Sequence, residues 1–79
     1  MIVPIEQVIP TADSPSKWSI RKMMEVLKRQ GQIEPLQVAE VNGKYLSFAQ
    51  DAYGNDIVYA ARALGWSTIL IAVMARYEQ

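Results

Sequence analysis

Residues 24–48, MEVLKRQGQIEPLQVAEVNGKYLSF, carry a helix end, a stop and a hairpin in one run. Leu27 closes an apolar arc that starts at Ile20 and passes through Met23 and Met24, the spacing of one helix face at about 100° per residue. That arc is expected to face the core. The helix runs to about Gln30 and stops at Gly31, a residue free to take the left-handed C′ position. Pro35 follows the loop, and Leu36–Val41 reads as a strand. Asn42-Gly43 is a two-residue hairpin signal, because both turn positions want positive φ. Lys44–Phe48 then returns as the second strand.

On the N-terminal side, residues 1–10 place β-branched residues between two prolines, which suits an edge strand or a short extended arm. Residues 11–16 form a loop that offers several helix N-caps, with Ser14, Ser16 and Ser19 as the candidates. On the C-terminal side, a second helix is expected to begin near Asn55 or Asp56 and to bury Ile57, Ala60, Ala61 and Leu64. Gly65 ends it. Thr68–Met74 is a nearly continuous apolar strand, expected to be buried on both faces. Residues 76–79 read as a polar tail. The order is strand, helix, hairpin, helix, strand. It predicts a compact α/β domain over residues 1–79, with a small mixed sheet and two main helices.

Composition removes much chemistry. The chain has 79 residues, no Cys and no His. No disulfide, thiolate zinc site, Cys nucleophile or His general base can be built from it. Nothing calls for an oxidising compartment, so the expected setting is cytoplasmic. Lys plus Arg and Asp plus Glu number eight each, for a net charge of zero. Tight nucleic-acid binding would therefore need a local basic patch, and a neutral surface leaves room for a homo-oligomer. The N-terminal MIVPIEQVIP has no basic start and is broken by Pro4 and Pro10, unlike a signal peptide. The run Ile69–Ala75 is far short of the roughly 20 apolar residues that a membrane span needs, so no membrane partner is expected.

Two stretches together resemble a known family. Met24 to Val38 looks like the first conserved box of ParB-like domains, a helix ending in Gly followed by Gln-x-x-Pro-hydrophobic-x-Val. Here those positions are Gln32, Pro35, Leu36 and Val38. Gly54, with Tyr59-Ala60-Ala61-Arg62-Ala63-Leu64-Gly65, resembles the second box, in which Gly-Glu-Arg-Arg precedes two alanines. The likeness runs from about Val3 to Val73, and the superfamily includes sulfiredoxin. It implies a ParB/sulfiredoxin-like fold in a small stand-alone, degenerate member. In the family, arginines after the glycine hold nucleotide phosphates; here the places of Glu-Arg-Arg fall to Asn55, Asp56 and Ile57, so Asp56 and Ile57 stand where the arginines would be. Neither Asp nor Ile can imitate a bidentate guanidinium. Sulfiredoxin's reactive Cys has no counterpart, and the family's helix-turn-helix domain has no room in this chain. Short versions of the domain resemble small accessory proteins of bacteriophages and plasmids, which would place the chain in a host cytoplasm.

Two groups of residues remain as candidate sites. Lys17, Arg21, Lys22, Lys28 and Arg29 concentrate positive charge on the first helix. They suit a nucleic-acid backbone or an acidic protein surface, or else form a solvated face with Arg21–Glu25 and Glu25–Lys28 pairs. Gly54, Asn55 and Asp56 form a degenerate phosphate loop. Its N–H groups could still meet an anion, although Asp56 and nearby Asp51 would repel one. Asp51 and Asp56 with Glu34 or Glu40 could in principle hold Mg²⁺, but no recognisable metal spacing appears. No cofactor and no catalytic residue is assigned. Trp18, Tyr53, Tyr59 and Trp66 could include exposed aromatics for stacking or partner contact, but most are expected in the core or at its rim. Three readings follow: a non-catalytic ParB-like module that binds DNA or a protein partner, a degenerate nucleotide-binding or nucleotide-hydrolysing enzyme, and a small oligomeric structural protein.

Overall fold

The computed structural model describes residues 1–11, 16–32, 34–48 and 52–78, and for residues 52–54 the backbone only. Five strands form one mixed sheet: β1 (Ile2–Pro4), β2 (Val8–Ile9), β3 (Leu36–Val41), β4 (Lys44–Ser47) and β5 (Thr68–Tyr77). Their spatial order is β1-β5-β3-β4-β2. Helices α1 (Lys17–Gln30) and α2 (Ala52–Ala63) pack against each other. Mixed α/β architecture was the expectation, and the fold meets it.

The N-terminal segment supplies both edges of the sheet. β1 pairs antiparallel with β5, and β2 pairs parallel with β4. A single 3₁₀ turn, Ile5–Gln7, joins them. In a flat sheet the first and fifth strands would stand about 19 Å apart. A turn rising about 2 Å per residue reaches roughly half of that. The sheet is therefore curled until its edges nearly meet. Two hydrogen bonds pin this closure: Ile5 N–H donates to Ser67 O at 3.0 Å, and Arg62 Nη2 donates to Val8 O at 2.7 Å.

Local chemistry sets the helix ends. Ser16 caps α1, its Oγ accepting from Ser19 N–H at 3.1 Å. Ser14, the other loop candidate, lies outside the described residues. At the C-terminal end, Gly31 N–H donates to Leu27 O at 2.9 Å. Gly31 has φ 70 and ψ −167, so its positive φ is as expected but its ψ is not left-handed helical. That combination is essentially restricted to glycine. No described atom stands within 4 Å of where a Cβ would go, so backbone conformation demands the glycine. Asn42 and Gly43 both have positive φ, as the hairpin requires, and β3 and β4 pair around them.

Val3, Ile5, Val8, Leu27, Leu36, Val38, Ile57, Val58, Ala60, Ala61, Ile69 and Ile71 form the core, with Ile20, Met23 and Met24 packed against it. Two expectations are corrected. β5 is not buried on both faces: Ile69 and Ile71 point inward, while Thr68 and Met74 are exposed. Leu27 of α1 and Ile57, Val58, Ala60 and Ala61 of α2 join Ile69 and Ile71 in the core, while Leu70, Ala72 and Ala75 are only half-buried. β5 also runs to Tyr77, taking Arg76 and Tyr77 out of the tail and into pairing with Glu40 and Val41. A bulge accommodates this, since Val38 and Ala39 face Val73 and Ala75 and leave Met74 as the extra residue.

Gln32 ties the first box to the sheet. Its Nε2 donates to Leu70 O at 2.7 Å and to Glu34 O at 3.1 Å, and its Oε1 accepts from Leu70 N–H at 2.8 Å. The side chain thereby pairs with β5 just before β3 begins at Leu36. This explains a Gln three residues before Pro35.

Candidate functional site

Helix α1 presents Lys17, Arg21, Lys22, Lys28 and Arg29 to solvent, all exposed. Helical winding puts Lys17, Arg21 and Lys28 in one row and Lys22 and Arg29 in another, with Trp18 and Glu25 between them. The Lys22 Nζ lies 4.1 Å from the centroid of the Trp18 ring. An exposed cation–π contact of this kind contributes about 0.5–1 kcal/mol. The pairs Arg21–Glu25 and Glu25–Lys28 do not form. Among the described residues the one ion pair is Arg76 Nε with Glu40 Oε2, at 2.9 Å on the sheet. The five cations of α1 therefore have no described carboxylate partner.

Trp18 is the exposed aromatic that the sequence left room for: it is 65 % exposed and belongs to neither core nor rim. Trp66, by contrast, packs against the core as expected, and Tyr59 is half-buried. The Tyr53 side chain lies outside the described residues.

The second candidate sits at the start of α2. That helix begins at Ala52, so Gly54, Asn55 and Asp56 lie inside its first turns and neither Asn55 nor Asp56 is its cap. Asn55 is 4 % exposed and is engaged in the interior. Its Oδ1 accepts from Ser47 Oγ at 2.9 Å, and its Nδ2 donates to Phe48 O at 3.4 Å. Ser47 in turn accepts from Thr11 N–H at 3.4 Å, and Thr11 Oγ1 donates to Ser47 O. This relay, buried at Ser47 and Asn55, ties α2 to β4 and to Thr11 just beyond β2. Ile57 is fully buried. Asp56 is half-buried, and burial pushes its carboxyl above the usual value. Side chains at 55–57 thus offer an engaged amide, a carboxylate and a core isoleucine, with no cation. Asp51 lies outside the described residues. Among those described, no three acidic residues gather as a metal site.

A shallow depression of about 460 Å³ opens elsewhere, lined by Ile2, Gln32, Gly65, Trp66 and Leu70 among others. Both amide hydrogens of Gln32 are already donated. Among the described residues, the depression includes no member of either candidate group and has no charged residue in its wall.

Neither a protein-family model nor a curated protein sequence matches the chain. Solved structures do. The chain is similar to sulfiredoxin from Arabidopsis thaliana, with a TM-score of 0.76 and 25% identity over 99% of this chain and 88% of that one. It is also similar to a C-terminally truncated chromosome-partitioning protein ParB from Caulobacter crescentus, complexed to the centromeric parS site. There the TM-score is 0.74 and the identity 22%, over 95% of this chain. It spans 40% of that ParB chain. The fold is that of ParB/sulfiredoxin-like domains. No helix among the described residues is long and apolar enough to cross a membrane.

Proposed function

We propose that residues 1–79 act as a single non-catalytic ParB-like binding module that grips a nucleic-acid backbone through helix α1. The observation that carries this reading is the row arrangement of Lys17, Arg21, Lys22, Lys28 and Arg29, all exposed and without a described carboxylate partner. Clustered cations of this kind meet phosphates and release counterions without reading bases. The structural likeness to a ParB complexed to parS supports DNA as the partner class. A bacteriophage or plasmid accessory role in a host cytoplasm fits the small domain.

The enzyme reading has less to support it. At the positions that match the family's phosphate-holding arginines, Asp56 is acidic and Ile57 belongs to the core. Sulfiredoxin chemistry would need a cysteine, which the chain lacks.

The test is a gel-shift titration over salt. Each phosphate contact contributes about −0.9 to the slope of log K against log salt for duplex DNA, so α1 should supply roughly −3 to −4. Changing Arg21 and Lys28 together to Glu should abolish binding while leaving Tm nearly unchanged, since exposed charges contribute little to stability. An acidic protein partner would show the same mutant sensitivity with no shift of DNA. If nothing responds to the double mutant, the α1 face is only solvated.

A further inference from the structure

We infer that the α1 face is built for single-stranded nucleic acid, with a base stacked on Trp18; this rests on the nucleic-acid reading above. Trp18 keeps 65 % of its surface exposed, in a small protein whose other tryptophan packs on the core. An indole left in water forgoes the burial that makes aromatics the largest contributors to a core. Its position is specific. One row of cations, Lys17, Arg21 and Lys28, runs along one side of it, and Lys22 and Arg29 run along the other. Val26, 41 % exposed, continues the line Trp18–Lys22–Val26 at four-residue steps. The face runs about 18 Å from Lys17 to Arg29, at 1.5 Å per residue.

The arrangement of stacking ring and flanking cations discriminates between forms of nucleic acid. In a duplex the base faces are buried in the helical stack, so an exposed indole finds nothing to stack on. In a single strand every base has a free face, and a ring set among cations takes the base while they take the phosphates. The Lys22 ammonium that now covers the Trp18 ring is on a flexible stem. It can move to a phosphate when a base arrives, exchanging one exposed cation–π contact for a charge-assisted one. Glu25, within the same face, disfavours a phosphate beside it and leaves the central position to a base. Stacking is sequence-tolerant, so oligothymidylate and oligouridylate should both bind.

The experiment measures affinity by anisotropy for fluorescein-labelled oligothymidylate, oligouridylate and a duplex of equal length. The proteins are wild type, Trp18→Ala, Trp18→Phe and Arg21→Glu/Lys28→Glu. Circular dichroism melts should all stay cooperative, with Trp18→Ala lower by no more than about 3–6 °C for the lost Lys22 contact, because none of these positions is buried. Trp18→Ala should weaken both single strands by about ten- to a hundredfold and remove their quenching of tryptophan emission. It should leave duplex binding unchanged, and Trp18→Phe should restore most of the loss. The charge-reversed double mutant should lose every nucleic acid. If Trp18→Ala binds single strands as wild type does, or weakens duplex equally, stacking is overturned and the backbone-binding reading survives. If wild type binds none of the three while retaining polyglutamate, both fail, and the face is one for an acidic protein.

Discussion

Replacing Gln32 by Glu exchanges one amide donor for a carboxylate oxygen at the point where the helix–strand connection meets β5. The Leu70 carbonyl, now 2.7 Å from an N–H donor, would face a negative oxygen, as would the Glu34 carbonyl at 3.1 Å. The bond from Leu70 N–H would survive and strengthen, because its acceptor becomes charged. A part-buried acceptor left without its donor costs about 1–3 kcal/mol, and the retained bond offsets some of the added repulsion. The net loss should be about 2 kcal/mol at neutral pH. For a chain of this size that lowers Tm by on the order of 10 °C. The loss should also depend on pH, with a definite sign. Two carbonyls disfavour the charged form, so the folded-state pKa of the introduced carboxyl would rise above the unfolded value of about 4.3. A group raised in this way contributes stability that is present below the unfolded pKa and lost as pH rises through the folded one. Protonated, it can donate to Leu70 O as the amide does. The Tm gap to wild type should therefore be widest near neutrality and should narrow below about pH 4. Thermal melts of both proteins across that range measure it. A gap of only about a degree at neutral pH, or one that does not change with pH, refutes the claim that this amide holds the connection to β5.

Three further outcomes are expected. Ser47→Ala removes both the donor to Asn55 Oδ1 and the acceptor for Thr11 N–H, and should cost about 1–3 kcal/mol in urea titration with an unchanged m-value. Asp56→Asn should raise Tm slightly at neutral pH. Burial raises the Asp56 pKa, so the wild-type carboxylate is disfavoured once ionised, and the gain should vanish below its unfolded value of 3.8. Calorimetry with CTP or ATP and Mg²⁺ should register no tight binding, and micromolar affinity for either would promote the enzyme reading.

What could be read from the residues was whatever local chemistry decides. Gly31, Asn42-Gly43 and Ser16 each act through their own backbone or their nearest neighbours, and all three sit where the pattern put them. Pairing between distant segments could not be read in the same way. Nothing within Ile2–Ile9 says that a 3₁₀ turn splits it between opposite edges, because that follows from the curl of strands contributed by residues 36–77. β5 looked like an interior strand because Leu70 and Ala72 are apolar too, yet they are only half-buried, and the buried residues of both described helices join the core with Ile69 and Ile71 instead. The exposure of Trp18 was legible after all. It falls outside the arc of Ile20, Met24 and Leu27, and the bulk of an indole outweighed its phase. Asn55, expected near the start of the second helix as a good N-cap, misled for a different reason. A cap and a buried amide use the same donor and acceptor set, and only the position of Ser47 across the fold decides between them.

Burial also makes the two candidate groups differ in kind. Asn55 and Ile57 are committed to the interior, one through its hydrogen bonds and the other through complete burial. A side chain committed to the core cannot also reach a solvent-borne phosphate. Restoring the family-like arginine by Ile57→Arg would place an unpaired guanidinium at a position with 0 % exposure. Unpaired buried charge is among the few changes that cost a small domain most of its stability, so this variant should fail to fold in urea or thermal assays. Asp56→Arg at the half-buried neighbour should fold. If Ile57→Arg instead folded with near-native stability, the start of α2 would have room to host a cation, and loss of the phosphate-holding pattern would be a matter of residue identity alone. If it unfolds, the burial of α2 in the core itself excludes the pattern. The clustered cations able to meet an anion are then those along α1, all exposed.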